Sequence, residues 1–149
     1  MIIIQDTREQ TPFDFKNCDL TGVEIVTGTL KTGDYSLQGY EDKITIERKS
    51  LSDAYGTFGQ GRERFERELE RMAEYTYAAI VIENDWQSIL RCPPSRSRLN
   101  PKTIFRSAIA WEQRYGVHFW TCINRAFAEK VTFVMLERFW RDQIEGKSR

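Results

Sequence analysis

The segment ITIERKS, residues 44–50, limits the fold more tightly than any other stretch of the chain. Ile44 and Ile46 alternate with Thr45 as in a strand packed between neighbours, and the strand runs on without a break into Glu47, Arg48 and Lys49. Successive side chains on a strand point to opposite faces, so Glu47 and Lys49 share one face while Arg48 joins Ile44 and Ile46 on the other. A packed strand carries three adjacent charges only where its end opens to water or where other groups compensate them. For an isolated E-x-K pair a simple salt bridge is the favoured reading, so the surroundings decide between a brace and a site.

Further apolar and β-branched runs at 2–4, 23–27, 43–47, 78–83 and 117–123 are expected strands, and TGDYSL at 32–37 reads as a turn entering another. The first half is therefore expected to be a β-meander. From Gly61 toward Tyr75, the residues Phe65, Leu69 and Met72 recur at helical spacing. Asn100 and Pro101 supply a cap and a first-turn proline, Ile104, Ala108, Trp111 and Tyr115 mark one face, and Gly116 ends a helix of about four turns. A last helix is expected from 125 to 144, apolar on more than one side. RCPPSRSRLNP, by contrast, has no periodicity and reads as a long loop, a kind that often carries function. Helices alternating with strands in the second half predict an α/β fold with a central mixed sheet flanked by helices.

At 149 residues the chain fits a single domain, and 40% apolar with 30% charged residues is the balance of a packed protein and not of a disordered tail. Cys18, Cys92 and Cys122 lie far apart and His118 is the lone histidine, so no zinc spacing exists. Within VHFWTCI, His118 reads as a packed strand histidine in preference to half of a Cys-His dyad. MIII is followed at once by Gln5, Asp6 and Arg8, which leaves no secretory core, and no later run reaches membrane-spanning length. An intracellular protein without a membrane partner is the expectation. The 22 basic and 22 acidic residues cancel, arguing against a broadly basic nucleic-acid binder. Their distribution is uneven, however: Trp86 to Trp111 contains no Asp or Glu but holds Arg91, Arg96, Arg98, Lys102 and Arg106. That stretch reads either as solvated surface or as a phosphate-binding segment.

Upstream of the charged strand, TGDY places Asp34 after a glycine at the start of another strand, and hairpin pairing of the two would bring Asp34 beside Glu47. Two carboxylates at that distance repel and raise one another's pKa unless a divalent cation neutralises them. Oxygen ligands favour Mg2+ or Mn2+, the hard cations that also bind phosphate oxygens. Phosphodiester hydrolysis needs such a metal, plus a cation near the nucleophile or the developing charge, a role suited to the compact ammonium of Lys49.

GDY at 33–35 followed by IERKSLSD at 46–53 resembles the GD…ERKxxxD signature of XPF-type structure-specific endonucleases, a branch of the PD-(D/E)XK nuclease superfamily. DTRE at 6–9, GQGRERFERELERM and AAIVIEND extend the resemblance over most of the chain. It implies a restriction-endonuclease-like fold and a metal-dependent DNA endonuclease acting at branched or single-strand/duplex junctions in repair, recombination or replication. Asp34 and Glu47 would be the principal ligands of Mg2+ or Mn2+, with Asp6 approaching directly or through water and Arg48 contributing its backbone carbonyl, and Lys49 would be the catalytic lysine. Arg8, Glu9, Arg48 and Asp53 also match signature positions. The two arginines would contact phosphate or brace the site, and Asp53 equally suits a first helical turn, where an acid meets the helix dipole. Arg62 and Arg64, beside the glycine-bearing turn, would touch DNA or pair with Glu66 and Glu68.

Members of the family commonly append a helix-hairpin-helix pair or a helicase region, and neither is present in these 149 residues. Grip on DNA is then expected from Arg96, Arg98 and Lys102, from a second copy or from a partner protein. In the last helix, Ala128, Val131, Met135 and Phe139 trace an expected core face, while Phe133, Leu136, Trp140 and Ile144 trace a second face suited to a homodimer anchored by Trp140. The alternative function is a catalytically silent nuclease-like subunit for DNA binding or assembly, disfavoured because such a subunit would be free to lose Asp34, Glu47 and Lys49.

Overall fold

Strand parity sets the layers in the computed structural model, which describes residues 1–147. The elements in chain order are β1 (Ile2–Asp6), β2 (Glu24–Gly28), β3 (Tyr35–Leu37), β4 (Ile44–Lys49), α1 (Leu51–Phe58), α2 (Arg62–Met72), β5 (Tyr77–Ile82), α3 (Trp86–Arg91), α4 (Pro101–Tyr115), β6 (His118–Thr121) and α5 (Arg125–Ile144). The six strands form one mixed sheet in the order β2-β1-β3-β4-β5-β6. On one face, Ile80 and Ile82 of β5 meet Phe58 of α1, Leu69 of α2 and Trp111 of α4, all essentially without exposure. On the other, Ile44 and Ile46 of β4 and Val81 of β5 meet Phe133 and Leu136 of α5. The expected α/β sandwich with a mixed sheet is what forms.

The meander does not. β1 and β2 pair in parallel, with Ile2 opposite Glu24, and residues 7–23 make the crossover between them. β3 then pairs antiparallel with both β1 and β4, and β4, β5 and β6 run parallel. Central strands buried on both faces carry near-continuous apolar runs, and YAAIVI in β5 is one.

Local chemistry sets the boundaries. The Asn100 side chain accepts from Lys102 N, Pro101 opens α4, and Gly116 closes it in the left-handed conformation at φ 68°. Asn124 caps α5 by accepting from Phe127 N. α1 begins with a reciprocal capping box: Asp53 N donates to the Ser50 hydroxyl, while the Asp53 carboxylate accepts from Ser50 N. α3, capped by Asp85, occupies the acid-free stretch that the sequence left unassigned, and 92–100 is the expected loop. His118 sits on the edge strand β6, about half exposed and stacked on Tyr77 with ring centroids 5.2 Å apart, so it is not packed in the core.

The faces of α5 follow expectation only in part. Ala128 is core and Val131, Met135 and Phe139 pack half-covered against it, but Phe133 and Leu136 of the expected second face are core too, with Thr132, and Trp140 is partly covered. The apolar side chains of α5 left in water are Phe127, Val134 and Ile144, at 47%, 48% and 60% exposure, the first two beside Trp120 of β6 at 48%. With apolar residues on every side, this helix offers no period from which to choose a face.

Candidate active site

Gly33 makes the site possible. Its φ is +77°, and a β-carbon there would lie 2.1 Å from Thr45 Oγ1 and 3.2 Å from the Ile46 carbonyl. Only glycine lets the 32–34 segment lie this close to β4. The approach is fixed by Asp34 N donating to the Ile46 carbonyl at 2.8 Å and by the Thr45 hydroxyl donating to the Thr32 carbonyl at 2.9 Å. Asp34 is thereby delivered beside Glu47.

The backbone of β4 turns alternate edges to its neighbours. Tyr77 N donates to Lys43 O and Glu83 N to Lys49 O, so the odd-numbered carbonyls face β5. Arg48 therefore presents its N–H and its carbonyl to the opposite edge, where the N–H donates to Asp34 Oδ2 at 2.8 Å. Asp34, Glu47 and the Arg48 carbonyl converge at the open end of the sheet. Lys49 joins them, its Nζ 3.1 Å from Glu47 Oε1 and 4.6 Å from the centre of the Phe65 ring. Burial, reinforced by the Glu47 carboxylate, pushes the Asp34 carboxyl up to about 9, and burial raises Glu47 too, against the opposing pull of Lys49. Two acids paired this way on the edge to which the Arg48 carbonyl also points fit a hard divalent metal.

Asp6 does not complete a three-carboxylate cage. One oxygen accepts from the Arg8 backbone N–H and Nε at 2.9 and 2.7 Å, the other from Leu30 N and Arg8 Nη2 at 2.7 and 3.1 Å. Burial alone would raise its carboxyl, but these bonds outweigh it and hold the group below the usual range. Among the described residues no group of three Asp, Glu, His or Cys side chains is placed to hold a metal. Asp6 serves as an anchor that ties Arg8 and the 28–30 turn to the end of β1.

Arg48 braces the site. Its side chain, 8% exposed, donates to Glu9 at 2.9 and 3.0 Å and to Glu83 at 2.9 Å. Those carboxylates raise its pKa despite burial, and Arg48 in turn holds Glu9 below the usual range although burial acts the other way. Asp53 is the helix cap described above. Arg62 is also engaged, donating to Ser107 at 2.7 Å and lying 4.5 Å over the Trp111 ring, which fastens α2 to α4. Arg8 and Arg64 are exposed at the cleft, while Arg96, Arg98 and Lys102 are exposed on and after the 92–100 loop. No sequence signal points to Arg125, whose guanidinium donates to Glu83 at 2.6 Å and to the Thr11 carbonyl at 2.7 Å and closes one wall. The cleft has a volume of about 1310 Å³ and reaches from Arg125 across Asp34, Glu47 and Lys49 to Gly56 and Gln60.

The amino-acid sequence matches the ERCC4 domain over residues 5–135. The chain belongs to the ERCC4 domain family. XPF from Aeropyrum pernix has the same fold, with a TM-score of 0.73 at 21% identity over 99% of this chain and 69% of that one. XPF from Aeropyrum pernix in complex with DNA superposes with a TM-score of 0.67 at 20% identity, over 94% of this chain and 65% of that one. This ERCC4 domain thus spans about two thirds of the length of those chains. No curated protein matches it in sequence. Its mixed six-stranded sheet flanked by helices is that of an XPF-type nuclease domain. No helix among the described residues is long and apolar enough to cross a membrane.

Proposed function

We propose that this ERCC4 domain is a Mg2+- or Mn2+-dependent DNA endonuclease that hydrolyses a phosphodiester bond at branched or single-strand/duplex junction DNA. The observation that carries the reading is the convergence of Asp34, Glu47, the Arg48 carbonyl and Lys49 Nζ at the open end of the sheet. A divalent cation held by the two carboxylates and the carbonyl would polarise the phosphoryl group and acidify an attacking water. Lys49 is fixed by Glu47 on one side and Phe65 on the other, so its ammonium is ready to orient that water and offset the charge that builds on the phosphoryl oxygens. Arg48, locked between Glu9 and Glu83, keeps the peptide that carries the carbonyl from shifting. DNA as the ligand is supported by family membership and by the DNA complex of the archaeal XPF.

The exposed apolar strip of Trp120, Phe127 and Val134 flanks a groove of about 520 Å³ on the outer side of α5. We take this strip, in place of the face with Phe133 and Leu136, as the surface through which two copies pair. The test of function is a panel of labelled duplex, flap, fork, splayed-arm and four-way DNA incubated with Mg2+, Mn2+ or a chelator. Cleavage of a junction substrate that stops on chelation is expected. Metal-dependent binding without cleavage of any substrate would favour the silent subunit.

A further inference from the structure

The active-site cleft is the middle of three depressions that share walls. A groove of about 580 Å³ has Asp34, Glu47, Lys49 and Arg64 in common with it and opens toward Lys31 and Arg71. A second, of about 1110 Å³, shares Ser52, Gly56 and Gln60 with it and ends at Arg96 and Arg98. The three form one continuous track with the carboxylates at its centre.

Each end of the track carries two cations: Lys31 and Arg71 line one groove, where Glu68 accepts from the Thr32 hydroxyl, and Arg96 and Arg98 line the other. Among the described residues none of these four cations is held in an ion pair, so each is available to a phosphate. Cations left unpaired at the two ends of a track, with an acidic metal-binding centre between them, complement a polyanion that passes a metal-bound point. The floor between centre and far end is α1, with Ser52 and Gly56, and the turn into α2, with Gln60. At Gly56 an added β-carbon would meet nothing within 4 Å, so bare backbone faces the groove there.

We infer that the strand being cut lies along this track, its flanking phosphates held by Lys31 and Arg71 on one side of the scissile bond and by Arg96 and Arg98 on the other. This rests on the endonuclease reading above and extends it: a track open at both ends accepts the interior of a strand and does not require a terminus. Of these four cations, Lys31 and Arg71 carry no sequence signal for a role in binding.

Photo-crosslinking tests the path. Lys49→Met protein, which should bind without cutting, is irradiated with junction DNA bearing an aryl azide on a single phosphate a few nucleotides to the 5′ or the 3′ side of the bond that wild type cuts, and the labelled peptides are identified by mass spectrometry. One position should label the peptides around 31 and 71 and the other the 92–102 loop. In parallel, Lys31→Gln/Arg71→Gln and Arg96→Gln/Arg98→Gln should each lower the slope of log affinity against log salt by about 1 to 2, as for one or two lost phosphate contacts. Cleavage by wild type with both slopes unchanged, or labelling of both ends by one probe position, overturns the track alone. Failure of wild type to bind or cut any DNA overturns the endonuclease reading and the track with it.

Discussion

Replacing Gly33 with alanine should damage both the fold and the site through one atom. At φ +77° an L-residue costs about 1 to 2 kcal/mol relative to its ordinary conformation. The new β-carbon would also sit 2.1 Å from Thr45 Oγ1, which is backed by a completely buried strand. Thr45 must then rotate and break its hydrogen bond to the Thr32 carbonyl, leaving a buried polar group unsatisfied at about 1 to 3 kcal/mol. Together these predict about 2 to 5 kcal/mol, a large part of the stability of a domain this size. Urea unfolding followed by tryptophan fluorescence measures it, and Thr45→Ala in the same chain isolates the steric part: the double variant should be more stable than the sum of the two single losses predicts. Gly33→Ala within about 0.5 kcal/mol of wild type would refute the close approach of the 32–34 segment to β4 on which the position of Asp34 depends.

Arg48→Met should cost about 3 kcal/mol in the same assay, because it strands the buried Glu9 carboxylate and leaves Glu83 with Arg125 alone. Trp120→Glu should shift the mass measured by light scattering from two chains toward one with the fold intact, whereas Phe133→Glu should unfold the chain, since Phe133 is core. Iodoacetamide at neutral pH should alkylate the exposed Cys92 readily and Cys122 only on unfolding, because burial covers that thiol and pushes its pKa up to about 11; mass spectrometry of the labelled peptides reads both.

What the sequence made legible was whatever is written locally. The cap, first-turn proline and terminal glycine of α4 are contiguous signals, and strand parity placed Glu47 and Lys49 on one face before any partner was known. The β3–β4 hairpin followed from a short connection and a glycine. The direction in which β2 meets β1 has no such signature, since 17 residues separate them and either pairing buries the same apolar side chains. α5 defeated periodicity for the opposite reason, by being apolar on all sides. At the site, Asp34, Glu47 and Lys49 come from adjoining segments that one motif spans, but the brace does not: Arg48 is held by Glu9, 39 residues away, and its partner Glu83 by Arg125, a further 42 along. No local pattern links residues that only the finished fold brings together. Asp6 likewise accepts from Arg8 and from Leu30 N, and residue type alone does not announce the second of these bonds, to a residue 24 positions away.

The most direct test of the central claim is the single-turnover cleavage rate of Lys49→Met on labelled junction DNA in Mg2+, with protein in excess and affinity measured alongside. Methionine keeps an unbranched side chain of similar length and removes the ammonium that lies 3.1 Å from Glu47 and 4.6 Å from the Phe65 ring centre. The account predicts a rate at least about 100-fold below wild type with DNA affinity within about 3-fold, the signature of a group that acts on the transition state. Cleavage within about 10-fold of wild type by the folded variant would contradict it.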